Sequence, residues 1–284
     1  MTTLLIDSNY LCYRAYYSTG SLSYERSPTG IAYGFMWTIL QMSEQFKTNK
    51  FLFCWDSKNS KRRNRCSTYK ANRVKNLTTE ERAEKAEIHS QFNLLQISTL
   101  PSMGFGNQLI QDGYEADDLI ARTVIDNPDI SFIAVTADND LFQLLRYKNF
   151  RMFSPVGNKL WTASNFMMKY GVTARDWVII KSIAGCPGDN VDGIPGVAIK
   201  TAVKYLNEEL SEKSKQYQKI TNNSSMIQNN YQLVRLPYPG MVSITIKKDN
   251  FYEDDIRIAF DKLGFSSFLP PSDTWERWRS FVLK

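Results

Sequence analysis

The sequence predicts a doubly wound α/β fold with a mostly parallel central sheet. Three short apolar runs lack the alternation of a half-exposed strand, and they lie at residues 3–6, 51–55 and 131–136. Unbroken runs of this kind are typical of strands buried on both faces, as in parallel sheets. Helical patterns lie between and beside them, at residues 31–46, 80–95 and 115–125. This alternation of strands and helices favours an α/β layer architecture.

Length and composition allow a large core and favour a polyanionic partner. The chain has 284 residues, 43% of them hydrophobic, which suits one large α/β domain or a domain with a helical extension. A net charge of +6 is typical of nucleic-acid binders, although many basic proteins bind none. The scattered cysteines form no C-x-x-C pair, so we expect a reduced protein without a zinc site or a disulfide framework.

The sequence gives no sign of a membrane partner. No apolar run is long enough to cross a bilayer. Residues 1–6 run directly into the first strand-like segment, which leaves no room for a signal peptide. We therefore expect a cytoplasmic protein.

Each strand-like run is followed by an aspartate. Asp7 follows the first run, Asp56 follows the second, and Asp138 and Asp140 follow the third. Alone, each fits a turn former or a helix N-cap. In doubly wound sheets, however, ligands bind beyond the carboxyl ends of the strands. The repetition therefore predicts one shared acidic site at this edge.

A further acidic cluster opens the third helical pattern. Glu115, Asp117 and Asp118 fall within four residues, and alone they predict a helix start stabilised by acidic side chains. Beside the strand-end aspartates they would repel one another unless cations were bound. Oxygen ligands favour Mg²⁺ or Mn²⁺ over zinc. About seven carboxylates exceed the needs of one ion that keeps several waters, so we expect two ions and an in-line displacement at phosphorus.

Basic residues follow the second strand. Residues 58–65 fit either a solvated charge run or a phosphate-binding segment, and the basic stretch continues through Lys70 and Arg73 to Lys75. Lys70 and Arg73 lie close enough to a strand-end aspartate to contact phosphate. Residues 76–92 predict a charged helix too polar for the core, in which His89 is exposed and is not a catalytic base.

A glycine- and proline-rich hairpin at residues 185–197 interrupts two helical patterns, 176–183 and 198–206. Such a hairpin can grip a phosphate backbone, or it can be an ordinary loop. Farther on, residues 221–230 predict a loop or frayed helix end, and 241–246 a short strand. Two amphipathic helices are expected at 252–263 and 273–283, the second with Trp275 and Trp278 as packing residues.

In this order the motifs resemble the 5′-to-3′ nucleases, which include bacteriophage flap endonucleases and the 5′-nuclease domain of bacterial DNA polymerase I. The matching segments are 5–16, 28–34, YKANR at 69–73, GYEADD at 113–118, TADNDL at 136–141 and the hairpin region 183–202. The resemblance implies a PIN-like core at 1–173 with a helical arch at about 66–98. It also implies a helix–three-turn–helix and C-terminal helical region at 174–284.

The resemblance also implies roles for individual residues. The first metal ion would be held by Asp7, Asp56, Glu115 and Asp117, and the second by Asp117, Asp138, Asp140 and Asp189, with Asp118 close by. Lys70 and Arg73 would lie above the scissile phosphate, and Tyr13 and Arg14 near the 5′ end. The DNA-binding hairpin would use Gly193, Gly196, Lys200 and Thr201, with a K⁺ ion on its backbone carbonyls.

One position departs from the family pattern, because Cys186 stands where an aspartate is expected. A neutral thiol is a poor Mg²⁺ ligand. The second ion would then be held more weakly, or Asp192 would compensate, and the sequence leaves both open.

The predicted function is a monomeric Mg²⁺-dependent 5′-3′ exonuclease or flap endonuclease of DNA replication, with Mn²⁺ as a substitute. Its substrates would be duplex or flapped DNA and RNA–DNA hybrids. With no polymerase segment after it, the chain resembles the stand-alone phage enzymes, which would place it in a host cytoplasm. The alternatives are a DNA-binding protein with an impaired second metal site and a PIN-like RNase of single strands, against which the hairpin argues.

Overall fold

The computed structural model describes residues 2–73 and 77–283. Lys75 and Asn76, which the sequence assigns to the basic stretch and to the start of the charged helix, lie outside these ranges. The strands are β1 Thr2–Asp7, β2 Ser23–Tyr24, β3 Ser27–Pro28, β4 Phe51–Cys54, β5 Gln108–Leu109, β6 Ser131–Val135, β7 Phe150–Ser154, β8 Lys159–Trp161, β9 Gly185–Cys186 and β10 Val191–Asp192.

The helices match most of the predicted patterns. They are α1 Ser8–Thr19, α2 Gly30–Phe46, α3 Lys61–Arg65, α4 Thr79–Leu94, α5 Leu100–Ser102, α6 Ala116–Asp126, α7 Ala163–Tyr170, α8 Trp177–Ala184, α9 Ile199–Leu206, α10 Lys215–Asn222, α11 Ser224–Val234, α12 Glu253–Lys262 and α13 Asp273–Phe281. Shorter 3₁₀ helices include Ala71–Arg73, Asn139–Arg146 and Pro187–Asp189. Each helix within the described ranges is too short or too polar to cross a lipid bilayer.

The central sheet confirms the predicted α/β class. Its strand order is β5-β4-β1-β6-β7-β8, and every neighbouring pair is parallel except β7 and β8. Alternate residues of β1 enter different cores, with Leu4 and Ile6 on one face and Leu5 on the other. This explains the unbroken apolar runs, since a strand covered on both faces has no polar side.

Helices cover both faces of the sheet. Phe35 of α2 and Trp278 of α13 belong to the core on one face, while Leu119 of α6 and Ile180 of α8 belong to the core on the other. Trp275 and Trp278 are buried, which confirms their packing role. Residues from both sides of position 173 therefore share each core, and the domain boundary there stays a prediction.

Two local predictions are wrong. Residues 221–230 are not a loop, because α10 and α11 cover nearly all of them. The polar residues that suggested a loop join helices instead, as where Asn230 Nδ2 donates to the carbonyl oxygen of Ser182 at 2.9 Å. Residues 241–246 form no strand. Side chains satisfy the backbone there, because the Ile244 amide donates to Asp126 Oδ2 at 3.0 Å.

The charged helix α4 is only half solvated. It begins with a capping box in which Thr78 and Glu81 each accept from the other's backbone N–H. Toward its end, Ile88 and Phe92 are buried, so the prediction of a helix too polar for any core contact is wrong for this half. His89 is exposed as expected, and its Nε2 lies 3.2 Å from the Tyr13 hydroxyl. The arch assignment for 66–98 stays a prediction.

Candidate active site

The parallel sheet brings the strand-end aspartates to one edge. Asp7 ends β1 and caps α1, with Oδ1 accepting from the Tyr10 amide at 3.1 Å and Oδ2 from Thr136 Oγ1 at 2.9 Å. Asp56 follows β4, and its Oδ1 accepts from the Ala116 amide at 2.8 Å. These hydrogen bonds connect the carboxyl ends of β1, β4 and β6 and the start of α6 at one edge of the sheet.

A cleft of about 380 Å³ opens at this point. Five predicted acids line it, and they are Asp7, Asp56, Glu115, Asp117 and Asp138. Tyr13, Lys70 and Arg73 line it too, whereas Arg14 lines two other cavities, both shared with Thr38 and Gln41 of α2. The placement of Arg14 near the 5′ end of the substrate stays a prediction.

The predicted acids divide into two groups by charge compensation. Four have a cationic partner, and the pairs are Glu115–Lys70 at 2.8 Å, Asp118–Arg62 at 2.5 Å, Asp140–Lys181 at 2.9 Å and Asp189–Arg73 at 2.7 Å. The other four have no ion-pair partner among residues 2–73 and 77–283, and they are Asp7, Asp56, Asp117 and Asp138. These four aspartates, which have no ion-pair partner in the described part of the chain, all line the cleft.

Mutual repulsion and partial desolvation favour the protonated form of these four carboxyls, of which Asp7 and Asp117 are half-buried and Asp56 and Asp138 are exposed. Desolvation and the nearby Asp56 raise the pKa of Asp7 to about 7, and desolvation and Asp140 raise the pKa of Asp138 to about 6. Desolvation also raises the pKa values of Asp56 and Asp117. For Glu115, desolvation is outweighed by Lys70 and Arg62, which lower its pKa.

This repulsion predicts a pH-dependent stability in the absence of metal. A folded-state pKa of about 7 for Asp7, against about 3.9 unfolded, means that the folded chain binds more protons between these values. Stability therefore falls as pH rises from about 4 to 7 and stays low above it. By differential scanning fluorimetry in EDTA we expect a lower melting temperature at pH 8 than at pH 5.5, and Mg²⁺ should raise it mainly at pH 8. A metal-free melting temperature that rises across this interval would contradict the repulsion.

The cleft suits a hard divalent cation. Within the described ranges, no three His, Cys, Asp or Glu side chains are arranged to hold a metal by themselves. Mg²⁺ does not require such a cage, because it keeps several waters and commonly binds one or two carboxylates together with substrate phosphates. The oxygen-only, uncompensated donors fit that pattern and do not fit zinc.

Asp118 has a structural role and does not line the cleft, and its place at the metal site stays a prediction. It is fully buried, and Oδ1 accepts from Arg62 Nη2 and from the Tyr238 amide, both at 2.7 Å. Arg62, itself 2% exposed, also donates through Nε to the Leu233 carbonyl at 2.7 Å. This buried pair joins α3, α6 and the chain after α11. This ion pair could not be predicted from the sequence, since Arg62 lies in a run that looks uniformly basic.

We expect Arg62→Met to destabilise the fold, because it leaves the Asp118 charge buried without a partner. Breaking such a pair costs about 3–5 kcal/mol. Urea unfolding followed by circular dichroism measures the loss. Arg63→Met is the matched control, since Arg63 is exposed and a surface change stays within about 0.5 kcal/mol. Equal stabilities for the two variants would show that the pair does not hold the fold.

The remaining second-site residues lie beside the cleft. Asp140 and Asp189 carry the ion pairs described above, and Cys186 Sγ lies 3.6 Å from Asp140 Oδ2. Burial and the Asp140 charge raise the pKa of the Cys186 thiol, so it is neutral. Asp192 is exposed on β10 and does not line the cleft, which gives no support to compensation by its carboxylate.

The glycine-rich hairpin forms as predicted between α8 and α9. Gly193 is required by close packing, since a Cβ there would lie 2.1 Å from the Ala184 carbonyl oxygen, and Gly196 has a φ of +77°. Lys200 is exposed and Thr201 half-buried at the start of α9. The hairpin touches the cleft's basic side, because the Lys70 amide donates to the Asp189 carbonyl at 2.7 Å.

Together, the parallel sheet, the acidic edge and the neighbouring hairpin define an α/β protein with a carboxylate-lined cleft beside a glycine-rich hairpin. The family model described as "5'-3' exonuclease, N-terminal resolvase-like domain" matches residues 2–171. The 5'-3' exonuclease of Bacillus subtilis is 31% identical over 221 residues, covering 72% of this chain and 69% of that protein. The chain belongs to the 5′-3′ exonuclease family, which confirms the resemblance.

Longer relatives and solved structures are also similar to this chain. DNA polymerase I of Caldicellulosiruptor bescii is 29% identical over 239 residues, covering 80% of this chain and 26% of that protein. The chain therefore spans about a quarter of the polymerase relatives it matches. The crystal structure of the T5 D15 protein with metal ions has a TM-score of 0.72 at 20% identity, covering 84% of this chain and 90% of that one. The catalytic core of Rad2 with DNA has a TM-score of 0.56 at 12% identity, covering 99% and 92%. These two likenesses show a shared fold.

Proposed function

We propose that this protein is a divalent-cation-dependent 5′ nuclease that hydrolyses phosphodiesters of flapped and duplex DNA, and of RNA–DNA hybrids, during replication. The supporting observation is the cleft itself, in which four uncompensated aspartates face Lys70 and Arg73. Family membership supports a 5′-3′ exonuclease activity. The T5 D15 flap endonuclease, similar in fold, has been crystallised as a pseudo-enzyme-product complex with DNA and metal ions.

Mg²⁺ is the proposed cofactor, with Mn²⁺ as a substitute. Asp7, Asp56, Asp117 and Asp138 would hold it, with Glu115 beside them. When bound, such an ion polarises a phosphoryl oxygen and lowers the pKa of a coordinated water. The donor set of the second predicted site, Asp140, Asp189 and Cys186, does not fit a second hard cation, because the two carboxylates are ion-paired and the thiol is neutral.

The chain's own residues supply the rest of the chemistry. Lys70 Nζ, 2.8 Å from Glu115 Oε2, is fixed at the cleft, where its charge would stabilise the negative charge that develops on the phosphate. Arg73 extends the positive side, and Tyr13 offers an aromatic edge for the terminal nucleotide. Backbone N–H groups around Gly193 and Gly196, with Lys200 and Thr201, would hold the duplex, assisted by K⁺ on hairpin carbonyls. We also propose that the protein acts as a cytoplasmic monomer.

The test is cleavage of a 5′-labelled flapped duplex under a Mg²⁺ titration. We expect metal-dependent products at the 5′ end or near the flap junction, and binding that weakens as salt rises. A non-catalytic DNA-binding protein would bind the flap without cleaving it at any Mg²⁺ or Mn²⁺ concentration. A single-strand RNase would instead prefer an unstructured RNA of equal length. Either outcome would contradict the proposal.

A further inference from the structure

A half-buried ion pair occupies the edge of the site beyond Asp138. Lys181 Nζ of α8 lies 2.9 Å from Asp140 Oδ1, and their side chains are 15% and 13% exposed. Cys186 Sγ lies 3.6 Å from the other oxygen, Asp140 Oδ2. The carboxylate of Asp140 is thus flanked by an ammonium on one side and a thiol on the other.

Asp189, the other acid at this edge, is compensated as well. Its Oδ1 lies 2.7 Å from Arg73 Nη2 and 3.8 Å from Lys70 Nζ. Its Oδ2 accepts from the Tyr69 hydroxyl at 3.3 Å. The pairs Lys181–Asp140 and Arg73–Asp189 therefore balance the charge here, where position 186 would supply a third carboxylate if it were aspartate.

The two edges of the site have opposite electrostatic characters. Asp7, Asp56, Asp117 and Asp138 lack a cationic partner among the described residues, and they repel one another. A divalent ion relieves that repulsion. At the Asp140 edge the charge is already balanced, so a second ion would gain no net attraction and would approach the Lys181 ammonium. Affinity for hard cations depends on the charge of the ligand set.

We propose that this cleft binds a single divalent cation tightly, and that Lys181, paired with Asp140 and unopposed by a carboxylate at position 186, keeps a second from binding. The inference rests on the proposed function, since it assumes that the four aspartates bind a divalent ion. The role of Lys181 is to set the charge of the site through its ion pair with Asp140.

The test counts Mn²⁺ ions bound to the metal-free protein, using electron paramagnetic resonance of the free ion. We expect one tight ion for the wild type and two for Lys181→Met/Cys186→Asp, with the second ion at least about tenfold tighter than in the wild type. Cys186→Asp alone keeps the ion pair and should give an intermediate second affinity. Lys148→Met is the matched control, because Lys148 is exposed and remote from the cleft; it should match the wild type.

The outcomes separate this inference from the proposed function. Two ions of comparable affinity on the wild type would overturn the inference and leave the nuclease proposal standing. A folded double variant that binds no more Mn²⁺ than the wild type would also overturn it. Failure of the wild type to bind any Mn²⁺ would overturn both. Circular dichroism of each variant checks the fold, and Cys186→Asp gives the answer if the double variant does not fold.

Discussion

Asp117→Asn is expected to lower the cleavage rate by on the order of 10³-fold while leaving DNA affinity nearly unchanged. The substitution removes one of the four uncompensated charges that face the cleft. It retains an oxygen that can accept from the Asp118 amide, the bond that Asp117 Oδ1 makes at 2.7 Å. The fold of α6 should therefore persist, and the loss should fall on cation binding and on the chemical step.

Single-turnover cleavage of a 5′-labelled flap at saturating protein measures this effect, and fluorescence anisotropy measures binding. Asp129→Asn is the matched control, since Asp129 is exposed in the turn after α6 and lies outside the cleft. We expect the control to cleave at the wild-type rate. If Asp117→Asn cleaved as fast as the control, the cleft would not be the site of hydrolysis.

Lys70→Met is expected to lower kcat by about 10²–10³-fold with a smaller change in KM. Lys70 Nζ is held by Glu115 at 2.8 Å, so the ammonium is oriented at the cleft before substrate arrives. Methionine keeps most of the aliphatic stem and removes the charge. Because the Lys70 charge lowers the pKa of Glu115, the variant should raise that pKa, so protons should compete more effectively with the metal.

Steady-state kinetics over a range of flap concentrations separates kcat from KM, and a thermal melt checks stability. Lys58→Met, which removes an exposed charge from the same basic stretch, should change mainly the salt dependence of binding. Lys70→Arg, which keeps the charge but changes the geometry, should recover part of kcat. An effect of Lys70→Met on KM alone would assign this residue to general phosphate binding.

The fold and the position of the cleft could be predicted because their signals are local. The strands β1, β4 and β6 each contain an unbroken apolar run, and the residues at the end of such a run lie at the carboxyl edge of the sheet, as Asp7 and Asp56 do. A sheet of this topology leaves little freedom for where those side chains meet.

The division of the acids into paired and unpaired groups could not be predicted, because it depends on partners distant in the sequence. Arg62 reaches Asp118 across 56 residues, and Lys181 reaches Asp140 from a different helix. Arg62 is indistinguishable in sequence from its exposed neighbour Arg63, and only the fold buries it. Dependence on distant partners also explains why α11 was not predicted. Its Asn230 resembles a loop residue in sequence, but its side chain donates to carbonyl oxygens of α8 and β10.

Anomalous diffraction from crystals soaked in Mn²⁺ tests most directly whether the gathered aspartates are a cation site. We expect a strong peak in the cleft, within about 2.0–2.3 Å of an Asp117 oxygen or one water away from it, with Asp7, Asp56 and Asp138 around it. Asp117→Asn crystals should lose most of that peak. A cleft without a peak at saturating Mn²⁺, in crystals that show Mn²⁺ elsewhere, would contradict the account.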